Sequence, residues 1–216
     1  MAALTPDYDS DPERRAAWQA PQDVHEMVGP EIVSGSVLDV GCGEGRLVAQ
    51  LRDGTQWCGV DSSDAQLARC DARPVVRADM CALPFPSDTF AVVTHLWCLY
   101  HVDAPTAAIE EACRVLGPGG NYYASTGARN SDPELMWEGY PATTFDAEEA
   151  AGIVGKVFVD AQAEQWDGKF FALESREEVR MFCRHNSIPV ERAETAEVPL
   201  WLTKRGVLLR ATKPPP

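Results

Sequence analysis

The chain has 216 residues, 45% of them apolar, which is enough for one α/β domain with a sizeable core. Lysine and arginine together number 19 against 33 aspartates and glutamates, so the net charge is -14. Nucleic acids and anionic membranes are bound mainly through basic side chains. This composition therefore argues against DNA, RNA or an anionic membrane surface as a partner.

Met1–Arg15 is polar and acidic, unlike a secretory signal peptide, and no stretch approaches the ~20 apolar residues of a membrane span. The seven cysteines fall mostly in apolar runs, with no Cys-x-x-Cys pair and no metal-ligand spacing. Such cysteines are typical of small buried side chains in a reducing compartment. We therefore expect a soluble cytoplasmic protein without a bound metal, either a monomer or a homodimer.

Residues 1–33 precede the first strand, and we expect them to form an N-terminal helical cap over a ligand pocket. Two short helical pieces, Pro12–Ala20 and Gln22–Met27, are separated by Pro21. Proline interrupts a helix because it lacks an N–H group. The sequence therefore predicts two helices here rather than one.

The segment 34–128 alternates strands with helices. The predicted strands are Val37–Val40, Trp57–Asp61, Pro74–Arg77, Phe90–Leu96 and Asn121–Ser125. The predicted helices are one with Leu47, Val48 and Leu51 on a single face, Ser63–Cys70, and one with Ile109, Cys113 and Leu116 that ends at Gly117. This alternation predicts a doubly wound, Rossmann-like α/β fold with a parallel sheet and right-handed crossovers.

After residue 128 the pattern changes, and 129–216 should form a lid and the C-terminal half of the sheet, on the substrate side of the same domain. Residues 130–145 contain proline, glycine and aromatic residues without a clean period, which predicts a loop or lid. The elements predicted after it are a helix Phe145–Val157, a strand Val159–Trp166, a helix Ser175–His185 with Ser175 as its N-cap, and a strand Gly206–Thr212.

The most informative segment is Val37–Gly45, which reads Val-Leu-Asp-Val-Gly-Cys-Gly-Glu-Gly. An apolar strand here runs into a turn with glycine at every second position, where the backbone can bend tightly or approach a ligand. Asp61 ends the next strand, about 20 residues after the first glycine, where a carboxylate can accept both hydroxyls of a ribose. Together these residues predict a site for a nucleoside cofactor.

The spacing of the glycines distinguishes between cofactors. A dinucleotide fingerprint is Gly-x-Gly-x-x-Gly, whereas the glycines here are Gly41, Gly43 and Gly45, and position 46 holds arginine. Asp39 and Glu44 would repel a pyrophosphate, but they suit a cofactor with an ammonium and a sulfonium. A nicotinamide-dependent oxidoreductase is therefore the disfavoured alternative.

This segment resembles the first motif of the class I S-adenosylmethionine (SAM) methyltransferases. Runs that resemble the later motifs of that family follow in order: Ala78-Asp79, Leu83-Pro84-Phe85 and residues 111–120. The likeness is to the UbiE-like, small-molecule branch, and it covers residues 34–128. It implies a seven-stranded sheet, mostly parallel with an antiparallel last strand, and SAM as cofactor with S-adenosylhomocysteine as product. It also implies a small-molecule acceptor that is methylated at oxygen, nitrogen or carbon.

The resemblance further implies cofactor-binding residues just after the strands, where ligands of open α/β sheets lie. The expected contacts are Asp39, Gly41, Cys42 and Gly43 at the methionine end, Asp61 at the ribose, Ser62 and Met80 beside the adenine, Asp79 at its amino group, and Thr94 and His95 below the sulfonium.

Methyl transfer from SAM needs a base when the acceptor atom carries a proton. His101 and His95 are the candidate bases, because histidine titrates near neutral pH, and a packing role is open for both. The expected substrate-pocket residues are Trp97, Tyr100, Trp137 and Tyr140. A SAM-binding accessory protein without catalysis is the second alternative, since nothing in the sequence identifies the acceptor.

Overall fold

The computed structural model describes residues 23–136, 143–186 and 188–215. The predicted helix Pro12–Ala20 and the predicted pocket residues Trp137 and Tyr140 lie outside these ranges. Of the described helices, none combines the length and the apolar character that crossing a membrane requires.

The described strands form one seven-stranded sheet. In chain order they are β1 Ser36–Val40, β2 Gln56–Asp61, β3 Val75–Arg77, β4 Phe90–Leu96, β5 Leu116–Gly127, β6 Gln162–Leu173 and β7 Leu200–Thr212. Their order across the sheet is β3-β2-β1-β4-β5-β7-β6. Across the sheet, the five strands β3, β2, β1, β4 and β5 each pair in parallel with the adjacent strand. Strand β7 is antiparallel to both of its neighbours, β5 and β6. The predicted sheet, mostly parallel with an antiparallel last strand, is confirmed.

Six α-helices and three short 3₁₀ turns lie among the described residues. The helices are α1 Val24–Val28, α2 Asp64–Arg69, α3 Pro105–Val115, α4 Ala147–Val154, α5 Arg176–His185 and α6 Arg192–Thr195, and the 3₁₀ turns are Gly29–Glu31, Val48–Gln50 and Leu99–His101. Polar side chains cap α1, α2 and α5: Asp23, Ser63 and Ser175 each accept a hydrogen bond from a backbone N–H of the first turn. The predicted N-cap at Ser175 is confirmed.

The α-helix predicted directly after β1 is wrong. Turns cover residues 43–47, and the 3₁₀ turn Val48–Gln50 follows them. Gly43 and Gly45 lie at φ +52° and +84°, outside the right-handed helical region, and Gly54 at φ +86° ends the segment. The glycine turn therefore runs directly into a 3₁₀ turn, and the apolar period of Leu47 and Leu51 is satisfied by this shorter element.

Several predicted boundaries also differ from the structure. Helix α3 ends at Val115 rather than at Gly117, and β5 begins directly at Leu116. Strands β6 and β7 are much longer than the predicted Val159–Trp166 and Gly206–Thr212, because they pair with each other over a further stretch. Pairing between distant strands leaves little trace in local alternation, which is why the predicted strands were too short.

Apolar layers cover both faces of the sheet. One layer joins Val93 and Leu209 with the inner sides of α3 and α4. The other joins Val37 and Leu208 with α1 and α2. Helices on both faces of a mostly parallel sheet are the doubly wound arrangement that the sequence predicted.

Strands β6 and β7 continue past the rest of the sheet at the carboxyl end of β5. Gly127, at the end of β5, pairs with Gly206, so Leu200–Arg205 and Asp167–Leu173 pair with each other alone. We call these two ranges the β6–β7 extension; six residues of strand span about 20 Å. A separate apolar cluster that includes Phe182 packs α5 and α6 on the extension. The extension therefore stands beside the edge of the sheet where ligands of α/β proteins bind.

Candidate active site

The glycine-rich turn after β1 packs tightly on one side and is open on another. Gly41 has φ +72°, and a Cβ there would lie 2.5 Å from Cys98 Cβ, so the turn rests directly on the segment after β4. The Gly41 N–H also donates to the Val60 carbonyl at 2.7 Å. Within the described ranges, a Cβ at Gly43 would meet only Gln66 Oε1, at 3.6 Å. The turn is thus anchored at Gly41 and leaves space for a ligand at Gly43.

Asp61 ends β2 opposite this turn. Its Oδ2 accepts a hydrogen bond from the Gly43 N–H at 3.0 Å, and its Oδ1 accepts one from the Ser63 N–H at 2.9 Å. An ionised carboxylate has about four lone-pair positions, so these two bonds leave acceptor capacity for two hydroxyl groups. The half-buried Asp61 side chain therefore links the glycine turn to the start of α2 and fits a ribose.

Asp39 lies beneath the turn, with 3% of its surface exposed. Its Oδ1 accepts a hydrogen bond from the Thr94 hydroxyl at 2.8 Å, and its Oδ2 accepts one from Trp57 Nε1 at 3.3 Å. Burial raises the pKa of the Asp39 carboxyl, and the nearby His25 together with these two hydrogen bonds opposes that rise. Asp39 and Thr94, both predicted to contact the cofactor, are thus bonded to each other inside the protein.

His95, near the end of β4, is wholly buried. Its Nδ1 lies 2.9 Å from the Tyr122 hydroxyl oxygen, and its Nε2 has no hydrogen-bond partner in the described part of the chain. Burial lowers the pKa of His95 to about 3. A histidine with so low a pKa is neutral at physiological pH and is a weak proton acceptor.

The predicted adenine-side residues follow β2 and β3 at one edge of the sheet. Asp61 of β2 pairs with Arg77 of β3, so the residues after each strand are neighbours. Asp79 is exposed, and its Oδ1 accepts a hydrogen bond from the Cys81 N–H at 2.8 Å. Ser62 is also exposed, whereas Met80 packs against the core. The structure therefore brings these residues to the same edge as Asp61.

Trp97, predicted to contact the substrate, follows β4 in an unusual backbone conformation. Its φ is +59°, a left-handed value that is rare for a bulky side chain. Its N–H lies 3.3 Å from the Ser125 carbonyl oxygen and 3.1 Å from the Ser125 Oγ, and its ring packs edge-on against Trp166 with 5.8 Å between centroids. Strained residues of this kind occur mainly at functional sites, where the surrounding structure enforces them.

Tyr100 and His101 lie in the 3₁₀ turn after Trp97. Their ring centroids are 4.4 Å apart; Tyr100 is half-buried and His101 is exposed. Both are therefore near the carboxyl end of β4.

The sequence did not predict an ionic cluster that connects the N-terminal segment to the glycine turn. Asp23 Oδ1 is 2.6 Å from His25 Nδ1, and its Oδ2 accepts a hydrogen bond from Arg46 at 2.8 Å. Burial raises the pKa of Asp23, but His25 and Arg46 outweigh it and lower that pKa to about 2. The sequence shows Arg46 directly after the last glycine of the turn. No local pattern indicates that it contacts Asp23, which lies 23 residues earlier in the chain.

The described cysteines and acids do not form a metal site. Among residues 23–136, 143–186 and 188–215, no group of three His, Cys, Asp or Glu side chains is placed to hold a metal ion. Burial raises the pKa of the Cys42 and Cys98 thiols, which are therefore protonated at neutral pH. Cys42 thus offers its backbone, rather than a thiolate, to a ligand at the turn.

Comparison with known proteins gives a family match over the core of the sheet. Residues 38–124 match the family model described as a methyltransferase domain. Over 124 residues the chain is 33% identical to the ubiquinone biosynthesis O-methyltransferase of Pseudomonas fluorescens, an alignment that covers 52% of each protein. The chain spans about half the length, or less, of the curated relatives it matches.

Solved structures extend the likeness to nearly the whole chain. The YcgJ protein from Bacillus subtilis gives a TM-score of 0.66 at 15% identity, covering 89% of this chain and 97% of that one. The Haemonchus contortus phosphoethanolamine N-methyltransferase 2, in complex with phosphomonomethylethanolamine and S-adenosylhomocysteine, gives 0.61 at 16% identity, covering 90% of this chain and 53% of that one. At these identities the likeness shows the fold alone.

The sheet order with β7 reversed and the match of residues 38–124 to a methyltransferase domain support the resemblance to the class I SAM-dependent methyltransferases, UbiE-like branch, that the motifs predicted. The glycine turn opposite Asp61 is the part of this fold that fits SAM, the cofactor which that resemblance implies.

Proposed function

We propose that this chain transfers a methyl group from SAM to a small-molecule acceptor, at oxygen, nitrogen or carbon. The observation that carries the proposal is the contact between Asp61 and the glycine turn. The hydrogen bond of 3.0 Å from the Gly43 N–H to Asp61 brings a carboxylate with spare acceptor capacity to the open side of a turn without side chains. A ribose with an amino-acid group on one side and a base on the other matches that arrangement.

The proposed cofactor contacts follow the three strand ends. They are the backbone of Gly41, Cys42 and Gly43 at the methionine end, the Asp61 carboxylate at the ribose, Asp79 at the adenine amino group, and Ser62 and Met80 beside the ring. Bound SAM supplies a methyl group on a positively charged sulfur, which is a good leaving group. Asp39 and Thr94 support the site from beneath the turn, where the hydrogen bond between them holds β1 against β4.

The proposed acceptor site lies in front of β4 and β5, with residues 129–216 as the substrate side and 1–33 as the N-terminal cap. Trp97 and Tyr100 are proposed as its aromatic border, and Trp137 and Tyr140, which lie outside the described residues, are proposed as further contacts of the acceptor. The edge-on packing of Trp97 on Trp166 supports a fixed wall that suits an apolar or aromatic acceptor. Holding such an acceptor in line with the methyl group can lower the barrier by ~7–11 kcal/mol.

The two histidines differ in what they can contribute. The low pKa and complete burial of His95 suit it to holding β4 on β5 through Tyr122 rather than to taking up a proton. His101 is exposed near the carboxyl end of β4, so it is the histidine proposed to border the acceptor.

Calorimetry and a product assay test the proposed function together. SAM and S-adenosylhomocysteine should bind the purified protein saturably at one site per chain, and NADH should not bind. Formation of S-adenosylhomocysteine is then measured with a panel of phenols, alcohols, amines and enolisable ketones. SAM binding without product from any acceptor would favour the accessory protein, and NADH binding without SAM binding would favour the oxidoreductase.

A further inference from the structure

Residues 143–146 are hydrogen-bonded both to the segment that follows β4 and to the end of β5. The Thr144 hydroxyl donates to the Val102 carbonyl at 2.7 Å, just after the 3₁₀ turn that follows β4. At the end of β5, the Thr126 hydroxyl donates to the Phe145 carbonyl, also at 2.7 Å. These two bonds hold the next residue, Asp146, at the carboxyl edge of the sheet, on the side where the proposed acceptor lies.

Asp146 occupies the N-cap position of α4 but does not cap it. Aspartate is among the best N-caps, yet this side chain makes no capping hydrogen bond. Its Oδ2 instead accepts a hydrogen bond from Arg129 Nε at 2.5 Å, while its Oδ1 is buried and has no partner among the described residues. Only 2% of Asp146 is exposed. A buried carboxylate oxygen without a donor is costly, so a ligand that donates to Oδ1 gains that interaction.

The charges around Asp146 favour proton uptake. Burial raises the pKa of the Asp146 carboxyl; Arg129 lowers it, and Glu148 and Glu149 raise it further. Arg129 is itself shared with Glu149, which weakens its hold on Asp146. The net direction is upward, so Asp146 accepts a proton at neutral pH more readily than an ordinary aspartate.

Asp132 has the same combination of features in a different place. It is 6% exposed, its Oδ1 is buried without a partner in the described ranges, and its Oδ2 is 2.6 Å from Lys204 Nζ. Lys204 in turn lies over the rings of Phe171 and Phe182, with its Nζ 5.5 and 4.8 Å from the two centroids. Asp132 therefore fixes the β6–β7 extension and serves as a matched control for Asp146.

We propose that Asp146 is a catalytic residue whose Oδ1 accepts a hydrogen bond from the methyl acceptor and then takes its proton. This inference rests on the proposed function and names its substrate class: a phenol, alcohol or amine whose nucleophilic atom carries a proton. Asp146 suits this role better than His101, because its enclosed carboxylate is shielded from bulk water.

The chemical step balances without a further reactant. The acceptor's lone pair forms a bond to the methyl carbon while the carbon–sulfur bond breaks and its electron pair goes to sulfur, giving a neutral thioether. The acceptor's O–H or N–H bond breaks with its electrons kept on oxygen or nitrogen. The proton goes to Asp146 Oδ1 and later to water.

Binding of 4-nitrophenol to the S-adenosylhomocysteine complex tests the proposal without turnover. The probe is a neutral phenol at about pH 6 and a phenolate at about pH 8, below and above its own pKa. The wild-type protein should bind it about tenfold or more tightly at the lower pH, because the carboxylate accepts from the phenol and repels the phenolate. Asp146→Asn should lose about tenfold in affinity at the lower pH and lose the pH dependence. Asp146→Ser, which restores an N-cap for α4, is the second variant and should behave in the same way.

The controls separate this proposal from its alternatives. Asp132→Asn should keep the wild-type pH dependence, and every variant should bind S-adenosylhomocysteine with unchanged affinity. Equal wild-type affinity at both pH values, or no wild-type binding of the probe, overturns the proposal even if a variant fails to fold. Loss of the pH dependence in His101→Gln alone also overturns it. Failure of the proposed function is distinct, since the wild-type protein would then not bind S-adenosylhomocysteine.

Discussion

Replacing Asp61 with alanine tests the ribose contact. The change removes the acceptor of the Gly43 and Ser63 N–H groups and, in the complex, the acceptor of the ribose hydroxyls. Hydrogen bonds to a charged group contribute ~1.5–3 kcal/mol. We therefore expect SAM affinity, measured by isothermal titration calorimetry, to fall by about 10- to 150-fold.

A comparison of SAM with S-adenosylhomocysteine shows how Asp61 acts. The two molecules share the ribose, but SAM alone carries the positive sulfur. If Asp61 binds the hydroxyls, Asp61→Ala weakens both by the same factor. If Asp61 acts mainly through its charge, SAM loses more affinity than S-adenosylhomocysteine, because Coulomb attraction acts on the sulfonium.

Asp64→Ala is the matched control for this prediction. It removes the same charge three residues away, but the Asp64 side chain is 71% exposed and pairs with the exposed Arg77. We expect its SAM affinity to equal that of the wild type. Thermal unfolding without ligand shows whether either variant is folded at the titration temperature. Wild-type affinity in Asp61→Ala, or an equal loss in Asp64→Ala, would refute the reasoning.

Three further changes test the surroundings of the turn. Gly41→Ala brings a Cβ to 2.5 Å from Cys98 Cβ, so we expect chemical denaturation to show a loss of ~1–3 kcal/mol; unchanged stability would contradict the close packing. Asp23 has a pKa of about 2, and a lowered carboxyl pKa stabilises the fold above the unfolded value. Asp23→Asn should therefore be less stable than the wild type at neutral pH, with the difference closing as pH falls from ~4 to ~2. His95 has a pKa of about 3, so below ~6.5 the unfolded chain binds a proton that the folded protein does not. Wild-type stability should fall by ~1.4 kcal/mol per pH unit more steeply than that of His95→Gln over this range, and parallel curves would show that His95 is not held neutral.

The sequence was sufficient where a feature depends on neighbours along the chain. The positive φ angles of Gly41 and Gly43, the strand that ends at Asp61 and the N-cap at Ser175 follow from local residue types. The family resemblance also predicted the seven-stranded sheet, mostly parallel with an antiparallel last strand. Local chemistry therefore predicted the glycine turn and the strand end at Asp61, on which the proposed cofactor site rests.

Other features depend on contacts between distant residues, which the sequence did not reveal. The β6–β7 extension arises from pairing between two strands whose own alternation is weak. The contact between Asp23 and Arg46 joins segments that only the fold brings together. Asp146 lies inside the helix predicted at Phe145–Val157, and only the structure shows that it precedes the helix and that its side chain is bonded to Arg129.

A crystal structure of the chain with S-adenosylhomocysteine tests the central claim most directly. We expect both ribose hydroxyls within about 2.6–3.0 Å of the Asp61 carboxylate oxygens, with the amino-acid end over Gly43 and the adenine beside Asp79. Crystals grown with saturating ligand that contain none, or a ligand bound away from Asp61 and the glycine turn, would contradict the account.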